Sequence, residues 1–280
     1  MTGFPYFLRE TEGVLVREFM RRELAHWRDE VPEPWREIFG DAELCFAGIP
    51  DEIVAPDHVF PLPHRNGRRH LLRPFDGIAP VDVRVILIGQ DPYPDEHRAT
   101  GRAFEDGIAV QLSETDRPSL RQIVKSCFAA CQDRVEAVRP LEWAEIDRFI
   151  LPNTVDYFDD LSRQGVLCLN AAWTFTDRSP PHLNANLRLW RPIMCTLIEM
   201  LLRANQNRVV LTLGAKARKL ADGIPGVDEA NWVCAVHPQA RGQAWANQPN
   251  PFVNVNNALN RIGQPQVCWM PGLREHEPDQ

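Results

Sequence analysis

The chain has no apolar run near the ~20 residues that a membrane-spanning helix needs, which excludes that class of element. Its first residues, MTGFPYFLRETEG, lack a basic segment followed by an apolar core, so no secretory leader is visible and a cytoplasmic location is expected. Paired cysteines are missing too. The seven cysteines (Cys45, Cys127, Cys131, Cys168, Cys195, Cys234 and Cys268) are scattered and odd in number, which argues against a disulfide framework. Cys127 and Cys131 share a helix face, but no Cys-x-x-Cys and no second pair accompanies them, so buried thiols are expected rather than a metal site. His58, His64 and His70 recur in a Pro- and Arg-rich stretch and read as a surface loop, since no acidic partner is regularly placed. Positive charge is in deficit: 31 Lys and Arg stand against 38 Asp and Glu, a net charge of −7. Nucleic-acid affinity rests largely on cations meeting phosphates, so a partner of that kind would depend on local clusters rather than the global field. No internal repeat or low-complexity block appears.

What is present suits one sizeable domain: 280 residues, 44% hydrophobic and 25% charged. Val14, Leu15, Phe19 and Leu24 fall at helical spacing in the first ~25 residues. Residues 31–80 are Pro-rich and irregular. Beyond them strands and helices alternate: strand 83–88, helix 118–132, strand 166–169, helix 187–203, strand 208–213, helix 215–221, strand 232–236, helix 253–262. This alternation predicts an α/β fold, a single three-layer α/β/α domain around a central, mainly parallel four-stranded sheet. The expected organisation is a helical extension over 1–25, the domain over 26–268 and a flexible tail over 269–280.

Three of the strands end on a polar group. VRVILIGQDPYP stops its apolar run at Gly89 and delivers Asp91 on a loop stiffened by Pro92 and Pro94. QGVLCLN ends on Asn170, and WVCAVHP on His237. Taken alone, each is equally an ordinary turn residue. Together they form a strand-end constellation, the place where open parallel sheets collect binding and catalysis.

The blocks GQDPY, LCLN and HPQA, in this order and spacing, resemble the signature blocks of the uracil-DNA glycosylase superfamily, family 1 branch. Gly101-Arg102-Ala103-Phe104, RPSLRQI and VVLTLGAKARK extend the likeness over roughly residues 24–265. The resemblance implies a DNA glycosylase that rotates uracil out of the stack and hydrolyses its bond to deoxyribose, with DNA as partner, no cofactor or metal, and a monomeric state. It implies roles as follows. Phe104 stacks on the base. Asn170 reads the O4 and N3–H edge. His237 steadies charge on the leaving base. Asp91 favours the cationic sugar and orients water, as carboxylates do in glycoside hydrolysis. The backbone of Gln90 helps bind the base, and Tyr93 walls off C5 against a methyl group. Pro118, Ser119, Gly214, Ala215, Gln239 and Arg241 fall in DNA-contacting segments. Arg98, Arg102, Lys216, Arg218 and Lys219 are candidate phosphate cations.

The pattern also departs from that family. Pro94 stands where a histidine follows Pro-Tyr, with His97 three residues on as a candidate substitute. Gln239-Ala240 replaces Ser-Pro, and Arg241 falls where a leucine wedges into the duplex. Two other readings therefore accompany uracil excision: the same chemistry on another modified or deaminated base, and a uracil- or DNA-binding protein with little turnover.

Overall fold

The computed structural model describes residues 15–54, 70–95, 97–132, 143–146, 149–225 and 231–275. In chain order the elements are α1 (Val16–Glu23), α2 (Arg36–Phe39), β1 (Val85–Gly89), α3 (Pro118–Cys131), α4 (Trp143–Ile146), β2 (Phe149–Ile150), α5 (Thr154–Arg163), β3 (Val166–Asn170), α6 (Pro180–Ala204), β4 (Val209–Leu213), α7 (Ala215–Ala221), β5 (Trp232–Ala235), α8 (Pro251–Arg261) and β6 (Arg274–Glu275). Short 3-10 turns fill much of the chain between Trp27 and Asp82.

The sheet runs β3-β1-β4-β5, and every pair is parallel. Successive side chains on a strand point to opposite faces, and both faces here are apolar. Ile86, Ile88, Leu167, Leu169 and Val210 pack with α1, α2, α6 and α7. Val85, Leu87, Val166, Cys168, Val209 and Leu211 pack with α3, α5 and α8. β1, β3 and β4 are buried along their whole length, as strands covered on both faces must be. This is the expected three-layer α/β/α arrangement.

Some boundaries differ from the expectation. The helix α1 is no extension: Val16, Phe19, Met20 and Leu24 lie in the first-face core. Nor do residues 269–275 form a free tail. Trp269 and Met270 are buried, the Trp269 indole donates to the Phe252 carbonyl at 3.0 Å, and β6 pairs antiparallel with β2. The sequence hid this because two buried residues followed by a two-residue pairing carry no periodic signal. α6 starts at Pro180, earlier than its apolar spacing suggests. Pro180 and Pro181 occupy first-turn positions, where a missing N–H costs nothing. The irregular stretch after residue 31 still builds core. Trp27, Trp35, Phe39 and Phe75 meet Trp173 and Trp190 in one aromatic cluster, with Trp173 stacked on Trp190 at 4.6 Å. His58 and His64 lie outside the described residues.

Candidate active site

The register aligns Gly89 with Asn170, so β1 and β3 release their loops at the same edge. Gly89 has no Cβ, and a Cβ there would sit 2.9 Å from Asn170 Oδ1 and 3.1 Å from Phe104 Cε2. The missing atom is what lets the amide and the ring approach over the strand end. The cavity above them measures about 330 Å³, and Gln90, Asp91, Tyr93, Phe104, Pro118, Ser119, Asn170, His237 and Gln239 all line it. Nine positions singled out from separate sequence blocks thus meet around one space.

Each group is held in a defined state. Burial pushes the Asp91 carboxyl up to about 6, while the Gln90 amide, which donates to Asp91 Oδ1 at 3.2 Å, and the Arg178 charge pull the other way. Burial holds His237 below its ordinary value, so the ring is neutral near pH 7. Its Nδ1 accepts from the Gln239 N–H at 3.1 Å. A neutral ring whose Nδ1 accepts carries its proton on Nε2, which leaves Nε2–H as the available donor. Asn170 is buried at the strand end. Phe104 sits at φ +68°, a left-handed conformation that a bulky residue adopts only when its surroundings impose it. The imposing contacts are visible. The Tyr93 hydroxyl donates to the Phe104 carbonyl at 3.1 Å. Beneath it, Glu105 pairs with Arg73 at 3.2 Å and with Arg102 at 3.6 Å, and Arg102 reaches Asp159 at 2.6 Å. Burial also raises the Tyr93 phenol, so it stays a donor at neutral pH.

The remaining predicted positions fall elsewhere. Gly214, at φ +101° and ψ 163°, caps the start of α7 and supports His237: a Cβ there would lie 3.2 Å from His237 Cβ. Ala215 is exposed beside it, and Arg241 is exposed on the turn after His237. Neither lines the cavity, and neither does His97, which is exposed. Two candidate phosphate cations are corrected. Arg98 is committed to Asp95, Asp106 and Asp116, and Arg102 is buried in the pairs just described. Asp95 and Glu105 stand only three residues from their arginines, but Asp106, Asp116 and Asp159 come from further along the chain, and these complete the pairing. Sequence reasoning also missed Arg117, Phe175, Arg178 and Leu183 as lining residues. Phe175 and Arg178 follow Asn170 in the loop between β3 and α6. Their only signal was descent from the same strand end.

A parallel sheet thus carries a carboxylate, an amide and a neutral imidazole at one edge, beside an aromatic ring. The model for the uracil DNA glycosylase superfamily matches residues 75–260, and this chain belongs to that superfamily. The uracil-DNA glycosylase of Bordetella pertussis is 32% identical over 208 residues, covering 70% of each chain. That of Aliivibrio salmonicida is 30% identical over 191 residues, covering 67% of this chain and 74% of its own. Among solved structures, the wild-type UNG of Nitratifractor salsuginis superposes with a TM-score of 0.55 at 25% identity, over 88% of this chain and 95% of that one. Mimivirus UNG Y322L in complex with UGI shares the fold with a TM-score of 0.57 at 14% identity, covering 95% of this chain and 99% of its own.

Proposed function

We infer that this protein is a monofunctional uracil-DNA glycosylase: it hydrolyses the bond between uracil and deoxyribose in DNA and leaves an abasic site for base excision repair. The observation that carries the reading is the convergence of Asp91, Tyr93, Phe104, Asn170 and His237 on a single cavity.

This reading gives each group a part. The target nucleotide leaves the stack, because its glycosidic bond is unreachable inside a duplex. Phe104 offers its face to the flat ring, a contact worth ~1–3 kcal/mol per base. The Asn170 amide carries a donor and an acceptor side by side, the complement of O4 and N3–H. Cytosine presents the opposite pattern and is rejected. The Tyr93 ring closes the side where thymine carries its methyl, and its hydroxyl is tied to Phe104, so the wall cannot swing aside freely. As the C1′–N1 bond breaks, negative charge gathers on the base and positive charge on the sugar. His237 Nε2–H donates to O2 of the departing base, where a preorganised donor counts most. Ionised Asp91 stabilises the sugar cation and orients the water that attacks C1′.

Labelled oligonucleotides carrying uracil, hypoxanthine or a thymine mismatch, single- and double-stranded, test the reading. After incubation and alkali, strand breaks should appear at uracil alone. Binding without breaks would make the protein a sensor, and breaks at another base would move it to a different substrate.

A further inference from the structure

Three guanidinium groups line the cavity, from Arg102, Arg117 and Arg178. Two are neutralised within the fold. Arg102 is buried against Asp159 and Glu105. Arg117 makes a two-pronged contact with Asp116, Nε to Oδ1 and Nη2 to Oδ2, both at 2.7 Å. Arg178 differs: it is exposed on the loop between β3 and α6, and among the described residues it has no acidic partner.

Charge balance makes this cation informative. The chain carries −7 overall, and the reaction proposed above needs an ionised Asp91 in a space that a polyanion must enter. Each arriving phosphate works against that carboxylate. A guanidinium at the same mouth offsets the phosphate and the carboxylate together. Its own charge already acts on Asp91 in that sense. A planar, permanently charged fork suits a phosphate oxygen pair, and among the described residues no carboxylate forms an ion pair with it, Asp91 feeling its charge only through space.

We propose that Arg178 is a positioning residue that grips a backbone phosphate flanking the flipped nucleotide, the chemical class of ligand being a phosphodiester rather than the base. The proposal rests on the glycosylase reading for its substrate, but its test does not need turnover. Binding is measured to an oligonucleotide carrying 2′-fluoro-2′-deoxyuridine, whose electron-withdrawing sugar resists cleavage, across a salt series. A lost phosphate contact should reduce the slope of log affinity against log salt by about 0.7 on single strands and about 0.9 on duplex. Arg178→Gln should show this loss, and Arg178→Lys should retain most of the slope, since an ammonium still meets phosphate as a point charge. Replacing each phosphate beside the uridine by a neutral methylphosphonate should locate the contact: at one of them wild type weakens, whereas Arg178→Gln does not weaken further. An unchanged salt slope in Arg178→Gln, or additive effects at both phosphates, would overturn the assignment. Absence of alkali-labile sites with wild type on ordinary uracil DNA would sink the glycosylase reading instead and leave the binding result standing.

Discussion

Asp91 answers to two opposed demands. The proposed mechanism needs its carboxylate, and burial disfavours it, raising its pKa from 3.8 to about 6. Base release should therefore fall as pH drops through about 6. Burial shifts His237 down from its ordinary value, which favours its neutral form, so Asp91 is the group expected to set that limb. Single-turnover rates between pH 5 and 8 check this; a limb near 4 would place Asp91 in open water. The same shift has a stability consequence. The folded carboxyl binds its proton more tightly than the unfolded one, so ionising it costs stability, and the cost grows as pH rises from about 4 to about 6. Asp91→Asn should then cut base release by orders of magnitude while raising stability above pH 6 by up to about 3 kcal/mol, with little gain at pH 4. Urea denaturation at both pH values reads it, and equal stabilities at pH 8 would contradict the desolvation. Tyr93→Ala should open the C5 side and admit thymine weakly, at the cost of the bond that holds Phe104; Tyr93→Phe keeps the ring and is the control for that cost. Removal of thymine by the wild type would end the wall argument. At this scale the sequence was most legible where a polar residue directly ends an apolar run, as at Asn170. It was least legible for charges. Arg98 and Arg102 read as free cations, although Asp95 and Glu105 stand three residues away and Asp116 and Asp159 join them from later in the chain.

The elements set these residues by where they stop. β1 stops on a glycine because Asn170 and Phe104 occupy the space a side chain would need. Gly89→Ala would press its Cβ on Asn170 Oδ1 at 2.9 Å and Ala103 Cβ at 3.2 Å. With those neighbours buried, the expected outcome is a stability loss of about 1–3 kcal/mol and a larger fall in kcat/KM, since the displaced groups are the base-reading ones. Gly214→Ala is strained for a different reason. Its φ of +101° with ψ of 163° is a region that only glycine enters readily, which costs of order 1–3 kcal/mol. Its Cβ would also push on His237. Thermal denaturation and base-release rates on both variants separate packing from catalysis; full activity in Gly214→Ala would free His237 from any dependence on that turn. β1, β3 and β4 were readable because parallel strands covered on both faces are short, continuous and apolar, and the half-buried edge strand β5 because its apolar run ends at His237-Pro238. The described parts of the stretch from Trp27 to Phe75 were not, because their core residues sit mostly on or beside short 3-10 turns and the four-residue α2, with no period to detect.

At the scale of the molecule, an acidic protein must hold a polyanion. Long-range attraction is unavailable at a net charge of −7, so binding must come from a few short-range cations near the cavity. Those that could serve are reduced once internal pairs are counted: Arg98, Arg102 and Arg117 are occupied by acids. Exposed cations remain on Arg178, Arg218, Lys219 and Arg241. Arg241 stands exposed on the turn that follows His237, the place where the resemblance to the family puts the apolar residue that fills the gap left by a flipped base. Flipping from a duplex costs a few kcal/mol, and an apolar wedge offsets part of it. A guanidinium is better hydrated, fills the stack less well and gains instead from phosphate. The protein should therefore favour single-stranded or distorted DNA, and its activity should decline with salt in proportion to the few phosphates it grips. Arg241→Leu is expected to raise duplex activity relative to single-strand activity and to flatten the salt dependence. Paired rate measurements on the two substrates across a salt series decide it. A duplex-to-single-strand ratio that stays level or drops in Arg241→Leu would mean that Arg241 does not occupy the wedge, or fills it as well as leucine does.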